Sequence, residues 1–327
     1  MSTKDNTTPN TLDLDIALSP LADPVAGAIF ANLELAGEAA ESLIRAVLES
    51  DKTILKGNII SVTPQRVHTS PNFRGCRIDV HVKTDANEHF IVEIQINPDL
   101  NILPRNFLAT SHIITESADI GDTSAQMAKK MPTIIHINIL AYNIREDNKE
   151  FVQPFKIMYT KQPAHVALPN FAGYNIQLPR VLEMEPDFSN NLYCWCYILY
   201  KAHVERKTLQ EVVAMTPEVA AFTEQNSGYQ QFCNRYDLVA GSTETRRQYF
   251  QWIGDHMRRE GELEWARVHG HKEGHEAGMR EGMREGMREN KIDIAREMLN
   301  DGEPIDKIIR YTHITIDELE NLRICIP

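Results

Sequence analysis

Two β-prone runs joined by a polar turn lie between residues 77 and 95, and both carry acids where a half-buried strand would be expected. Apolar and polar residues alternate in RIDVHVK and again in HFIVEIQ, which is the period of two of paired strands. The intervening TDANEH is rich in turn-forming residues. The pattern therefore predicts an antiparallel hairpin whose turn is centred on Ala86.

That register places two carboxylates opposite each other. With the turn centred on Ala86, Asp79 faces Glu93, with Cβ atoms about 4.5–5.5 Å apart, and like charges at such positions repel each other. Three arrangements would offset the repulsion: solvation on an exposed face, which is ordinary for antiparallel sheets, protonation of one carboxyl, or a divalent cation held between the two. The spacing alone leaves all three open.

The composition is that of a folded protein without membrane spans. Its 327 residues are 42% hydrophobic, which suffices for a sizeable core in one large or two modest domains. No apolar run approaches the roughly 20 residues needed to cross a bilayer, and the start MSTKDNTTPNTLDLD lacks the features of a signal peptide. We therefore expect a cytoplasmic protein. The five cysteines form no CxxC pair, which argues against a disulfide framework and a thiolate zinc site.

The charge of the whole chain differs in sign from that of one local segment. A formal net charge of −12 argues against a protein that coats nucleic acid nonspecifically, because such proteins are usually basic overall. From Lys52 to Lys83, however, six positive residues stand against the single acid Asp79, a balance of +5. This basic segment is either a contact surface for a phosphate backbone or an ordinary solvated edge.

The order of the predicted elements is helix, strand, hairpin, helix, strand, which indicates an α/β (α+β) core. Asp23 is a candidate N-cap of the first helix, with Pro24 at its first position. Strands are predicted over 58–65 and 133–144, and FKIMYTK and YNIQLPRVLE are predicted to be short extended pieces. The expected divisions are a disordered tail over 1–18, a core over 19–185 and a helical extension over 186–254.

Two further segments are expected at the C-terminus. In the charged segment 255–290, a glycine recurs every four residues from Gly270 to Gly286, and each costs a helix roughly 1 kcal/mol relative to alanine. The segment is therefore either a helix that packs closely in a homo-oligomer or a weakly ordered linker. Two or three short helices are predicted over 291–327, where eight acids outnumber five bases. That balance favours packing or dimerisation over insertion into a DNA groove.

From Leu18 to about Glu185 the chain resembles the PD-(D/E)XK nuclease family transposases, also called recombination-promoting nucleases. The resemblance is carried by SPLADPVAGAIF, by RGCRIDVHVKTDANEHFIVEIQ, and by MPTIIHINILAYNI with the following FKIMY and IQLPRVLE. It implies a restriction-endonuclease-like mixed sheet flanked by helices, with a helical C-terminal extension. It also implies an endonuclease that cleaves DNA with Mg²⁺ or Mn²⁺.

The resemblance further implies which residues form the site. The metal ligands would be Asp79, Glu93 and the backbone carbonyl of Ile94, and Asp23 matches the acid near the start of the first helix. Gln95 would complete the catalytic set with Asp79 and Glu93. The residues expected to contact DNA phosphates are Arg74, Arg77 and Lys83.

The chain departs from its relatives at two points. Gln95 stands where many members of the wider superfamily have lysine, and an amide can orient water or a phosphate oxygen but carries no charge and is not a base. Ala26 and Gly27 replace the aromatic residue and the lysine that often follow the first acid. These departures motivate an alternative, a catalytically impaired interaction protein that keeps the nuclease fold and self-associates through its C-terminal helices.

Overall fold

The computed structural model describes residues 16–70, 73–99 and 101–324, without the side chains of 67–70, 73–77, 163–164, 321 and 323–324. The chain divides into two compact units, Met1–Trp252 and Ile253–Pro327. Within the described ranges, every helix is too short or too polar to span a bilayer.

Two helices precede the sheet, α1 (Asp23–Ile29) and α2 (Leu33–Glu49). The N-cap of α1 is Ala22 and not Asp23 as predicted, because the extended Ala22 already accepts the first helical hydrogen bond, from the Ala26 N–H at 2.9 Å. Asp23 is therefore the first helical residue, where a carboxylate interacts favourably with the helix dipole.

Six strands form one mixed sheet in the order β1-β2-β3-β4-β8-β5. Strands β1, β2 and β3 pair antiparallel, β3, β4 and β8 run parallel, and β5 pairs antiparallel with β8. A separate two-stranded sheet contains β6 and β7. The bounds are β1 Ile59–Ser70, β2 Phe73–Thr84, β3 Glu88–Gln95, β4 Thr133–Leu140, β5 Val152–Lys156, β6 Met158–Tyr159, β7 Gln162–Val166 and β8 Phe171–Gln177.

The crossover from β3 to the parallel β4 contains α3 (Ile102–Ser117) and α4 (Ser124–Lys130). Helix α3 packs on the sheet through Ala109 and Ile113, which share an apolar cluster with Ile91 of β3. The mixed sheet flanked by helices confirms the predicted fold class.

The piece YNIQLPRVLE is only half extended. YNIQ ends β8, but LPRVLE forms the short helix α5 (Leu178–Glu183). Pro179 lies in the first turn of α5, where a missing N–H breaks no helical hydrogen bond. The second half of the predicted extended piece is therefore a helix.

Four helices follow: α6 (Asn191–Glu205), α7 (Leu209–Met215), α8 (Pro217–Gln225) and α9 (Ser227–Ala240). Helices α6 and α9 pack against α2, and α7 and α8 pack against α6 and α9. Trp195 of α6 is fully buried and meets the Tyr229 and Phe232 rings edge-on at 4.8 and 5.2 Å. The aromatic residues at the start of this extension thus fill a core.

Helix α10 (Thr243–Asn300) is 58 residues long and includes the whole glycine repeat. A Cβ placed on any glycine from Gly270 to Gly286 would meet no described atom within 4 Å. At the end of α10, α11 (Ile305–Thr312) and α12 (Ile316–Ile324) pack around Ala295. The last predicted segment, 291–327, thus contains the end of α10 and the two short helices α11 and α12.

Candidate functional site

The β2–β3 hairpin has the predicted register. Val80 faces Val92, and continuing that register opposes Asp79 to Glu93. The ladder ends at the Val80–Val92 pair, and beyond it the Ile94 N–H donates to the Asp79 carboxylate at 2.9 Å. We call this point, formed by Asp79, Glu93 and Ile94, the strand fork.

The two acids at the strand fork are linked through the backbone. The Asp79 N–H donates a hydrogen bond to the Glu93 carboxylate, while the Asp79 carboxylate accepts from the Ile94 N–H. Because the N–H and C=O of one strand residue lie at the same edge, the Ile94 carbonyl also lies on the side of Asp79. The two carboxylates therefore meet at the end of the ladder, and the Ile94 carbonyl points from the same edge of β3.

The Glu93 carboxyl is buried at this position. Its side chain is only 5% exposed, whereas Asp79 is half-buried. Desolvation and then the negative charge of Asp79 raise the pKa of Glu93, which reaches about 8 although the Arg105 charge opposes both. Burial excludes full solvation as the answer to the repulsion between the two acids. Protonation and a bound cation remain.

A cation of the chain itself lies beside Glu93. Arg105, in the first turns of α3, donates to the Glu93 carboxylate at 3.0 Å and to Asp99 at 3.3 Å. The sequence analysis missed this residue. Its signal is positional: only residues 96–101 separate β3 from α3, so the helix begins close to the end of the strand that carries Glu93.

Asp23 lies close enough to the strand fork that its charge contributes to the raised pKa of Glu93. One turn later, a Cβ on Gly27 would lie 2.8 Å from the Gln65 side-chain amide nitrogen. The glutamine thus covers the position where relatives often carry lysine. The acid of the first helix is near the pair, but the helix supplies no cation there.

Gln95 is half-buried and follows Ile94 on β3. Its backbone carbonyl accepts from the Ala141 N–H of the neighbouring strand connection at 2.9 Å. Among the described residues, no group hydrogen-bonds to its side-chain amide. That amide is therefore available to a water or a substrate.

The predicted phosphate-binding residues are not all gathered at the pair. Lys83 lies four residues from Asp79 on β2, roughly 13 Å along the strand. Its charge acts on His89, whose pKa is lowered to about 4 by desolvation and then by Lys83. Arg74 and Arg77 belong to β2, but their side chains lie outside the described residues.

A row of polar side chains continues from Glu93 across the sheet. The strand register aligns Glu93 with Asn138 of β4, then Asn175 of β8 and Gln153 of β5. Asn138 donates to Asn175 at 2.8 Å, and Asn106 of α3 donates to Asn138 at 3.2 Å. The acid pair thus lies at one end of a largely buried polar row.

The donor set of the strand fork fits a hard divalent cation. Mg²⁺ usually keeps several waters and binds through one or two carboxylates, and carbonyl oxygens are also ligands of such ions. No group of three or more His, Cys, Asp or Glu side chains in the described part of the chain has a metal-binding arrangement. Any site here therefore depends on the acid pair, the backbone carbonyl and water.

Comparison with known proteins adds one finding. A family model described as PD-(D/E)XK nuclease family transposase matches residues 28–251, more than half of the chain. The matched region extends past Glu185 to include α6–α9. No curated protein and no solved structure matches.

The raised pKa of Glu93 predicts a pH dependence of stability. A carboxyl whose pKa rises on folding, here from 4.5 to about 8, contributes stability that is complete below pH 4.5 and lost as the pH approaches 8. Across this window the free energy of unfolding of the metal-free protein should fall relative to Glu93→Gln, by on the order of a few kcal/mol.

Urea unfolding in EDTA at pH 5, 7 and 9 measures this difference. Replacement of the exposed Glu224 by glutamine is the matched control, and its stability should run parallel to wild type. Parallel curves for Glu93→Gln and wild type would contradict the buried-acid description.

Proposed function

We propose, from the premise that this chain belongs to the PD-(D/E)XK nuclease family transposases, that it hydrolyses DNA phosphodiester bonds with Mg²⁺ or Mn²⁺. The family supports a nuclease or transposase type of function. The observation that best supports metal dependence is the strand fork, where the buried Glu93 and the half-buried Asp79 meet beside Arg105. A divalent cation bound between the two carboxylates would offset their repulsion. Without the cation, protonation of Glu93 offsets it.

The metal ligands would be Asp79, Glu93 and the Ile94 carbonyl, with Asp23 as a more distant acid that would add to the local negative potential. A bound divalent cation supplies Lewis-acid chemistry toward a phosphate and a water. Gln95 would orient the attacking water through its side-chain amide, but it cannot take the proton of that water because an amide is not a base.

Arg105 supplies the charge that Gln95 lacks. Its side chain is 40% exposed and its guanidinium contacts Glu93, so the arginine faces the acid and can also reach solvent. Arginine binds phosphate oxygens through paired N–H donors, and such charge-assisted hydrogen bonds are stronger than neutral ones. In this proposal Arg105 contacts the scissile phosphate and stabilises its added negative charge.

The DNA backbone would extend along β2 beyond the acid pair. Lys83, about four residues along the strand, would contact a phosphate distant from the cleaved one. Arg74 and Arg77 stay predicted phosphate contacts, and the cytoplasmic location stays a prediction. Arg66 is already engaged, since it pairs with Glu116 at 2.6 Å and contacts His81.

An impaired interaction protein is the second candidate function. The neutral Gln95 and the glutamine-covered Gly27 favour it, because both positions lack the cation that relatives often have. In this alternative the strand fork persists as a remnant of the fold and the C-terminal helices provide the biological contact. Cleavage assays separate the two functions.

Loss of either acid should abolish DNA cleavage. Asp79→Asn and Glu93→Gln remove a metal ligand without changing side-chain size, so nicking of supercoiled plasmid with Mg²⁺ or Mn²⁺ should fall by about 100-fold or more. Asp85→Asn alters an acid in the turn of the same hairpin and should cleave like wild type.

Three outcomes are informative. Equal cleavage by all proteins would show that the activity comes from elsewhere. No cleavage by wild type over DNA of varied structure would favour the interaction protein. Loss in Asp85→Asn alone would show that the measured activity does not depend on the strand fork.

We also propose that α10 mediates a homo-oligomer. Met279, Met283 and Met287 are 55–64% exposed on this helix, beside the glycines at the preceding positions. The same segment alternates acids and bases, as in the Glu281–Arg284 pair at 2.6 Å, so a second copy would meet complementary charges. Methionine side chains of one copy would fill the space over the glycines of the other.

Removal of the segment after residue 255 should reduce the assembly. Light scattering is expected to give a multiple of the chain mass for the full-length protein and a smaller assembly for the truncated one. Full-length protein with Met279, Met283 and Met287 changed to glutamine should show the same reduction, because the apolar contact is lost. An unchanged assembly in both proteins would contradict the proposal.

A further inference from the structure

The placement of Arg105 depends on how the first turns of α3 are held. Asn101, which precedes α3, makes no side-chain capping hydrogen bond. The apolar contacts of α3 lie on both sides of Arg105, at the buried Ile102 before it and at Phe107, Ala109 and Ile113 after it. A long arginine side chain loses rotamer freedom when it is held in one geometry. The polar contacts at the turn of Arg105 therefore help to decide whether the guanidinium stays on Glu93.

Asn106 makes such a contact. It follows Arg105 and is 1% exposed, and its side-chain amide donates to the side-chain Oδ1 of Asn138 at 3.2 Å. Asn138 is fully buried and in turn donates to Asn175 at 2.8 Å. Asn138 is also the register partner of Glu93 on the neighbouring strand. The chain of amides thus connects the helix turn of Arg105 to the row that contains Glu93.

Holding the helix through this chain of amides has a free-energy cost. The side-chain Oδ1 of Asn106 is buried and has no hydrogen-bond partner among the described groups. An unsatisfied buried polar atom opposes folding. One turn later, Thr110 and His136 form another buried contact between α3 and the sheet, at 2.8 Å. Attachment alone is therefore already provided, and the amides act at the turn next to Arg105.

We propose that Asn106, Asn138 and Asn175 are positioning residues that hold Arg105 against Glu93. The inference rests on the proposed function, since the purpose of this placement is to keep the guanidinium at the strand fork when substrate arrives. None of the three touches substrate or metal in this scheme. Their effect passes through α3 and the Arg105 side chain, and it is present in the metal-free protein.

A double-mutant cycle tests the proposal without metal or DNA. Arg105→Gln, Glu93→Gln and the double variant are unfolded with urea in EDTA at pH 9, where Glu93 is ionised. The coupling is the factor by which Arg105 changes the effect of Glu93→Gln on the unfolding equilibrium constant, and about tenfold is expected. The cycle is repeated in proteins that carry Asn106→Leu or Thr110→Val.

The two backgrounds should behave differently. Asn106→Leu should reduce the coupling to less than half of its wild-type factor, because the turn that carries Arg105 is no longer held. Thr110→Val removes a buried hydrogen bond from the same helix one turn later and should leave the coupling unchanged. Unchanged coupling in Asn106→Leu, or an equal loss in both, would overturn the proposal. If Asn106→Leu does not fold, Asn175→Ala replaces it as the background. The coupling should then fall below its wild-type factor, but by less than is expected for Asn106→Leu.

Mn²⁺ titration calorimetry of the same proteins separates this inference from the proposed function. Arg105→Gln should change the Mn²⁺ dissociation constant, and adding Asn106→Leu to it should produce no further change, because the asparagine acts through the arginine. An additional change in the double variant would count against the proposal. Absence of Mn²⁺ binding by wild type would contradict the proposed function, while the metal-free coupling would still decide the role of the asparagines.

Discussion

The candidate site depends on one hydrogen bond, the donation of the Ile94 N–H to the Asp79 carboxylate at 2.9 Å. The antiparallel ladder ends one pair earlier, at Val80 and Val92. A side-chain carboxylate takes the place of a backbone acceptor, so the strand edge stays satisfied although the strands no longer pair. The same hydrogen bond brings Asp79 close to Glu93, and the Ile94 carbonyl points from the same strand edge. The end of the hairpin ladder is thus also the place where metal ligands can meet.

The surroundings of the strand fork make this arrangement costly without a cation. Glu93 is buried, and both desolvation and the charge of Asp79 raise its pKa. Arg105 offsets part of the negative charge at 3.0 Å. The neutral Asn138 continues the row without adding charge. Under the proposed function such a site would be stable in two ways, with a proton on Glu93 or with a metal cation between the acids, so pH and metal binding would be linked.

The sequence predicted local features well because they depend on neighbouring residues. The hairpin register followed from alternation and a polar turn, and the structure confirms it. The start of α1 was wrong by one residue because Ala22 takes the capping position, and LPRVLE was wrong because proline also begins helices. Arg105 and Asn138 were missed for a different reason. Arg105 reaches Glu93 because α3 begins soon after β3 ends, and Asn138 is aligned with Glu93 by the parallel β3–β4 register, so neither follows from alternation within one strand.

The central claim is that Asp79, Glu93 and the Ile94 carbonyl together bind one divalent cation. The most direct measurement is the anomalous scattering of Mn²⁺ in crystals of the wild-type protein and of Asp79→Asn. The account predicts one wild-type peak about 2.0–2.3 Å from a carboxylate oxygen of each acid, with no peak there in the variant. A manganese peak that contacts neither acid, or one that survives Asp79→Asn unchanged, would contradict the account.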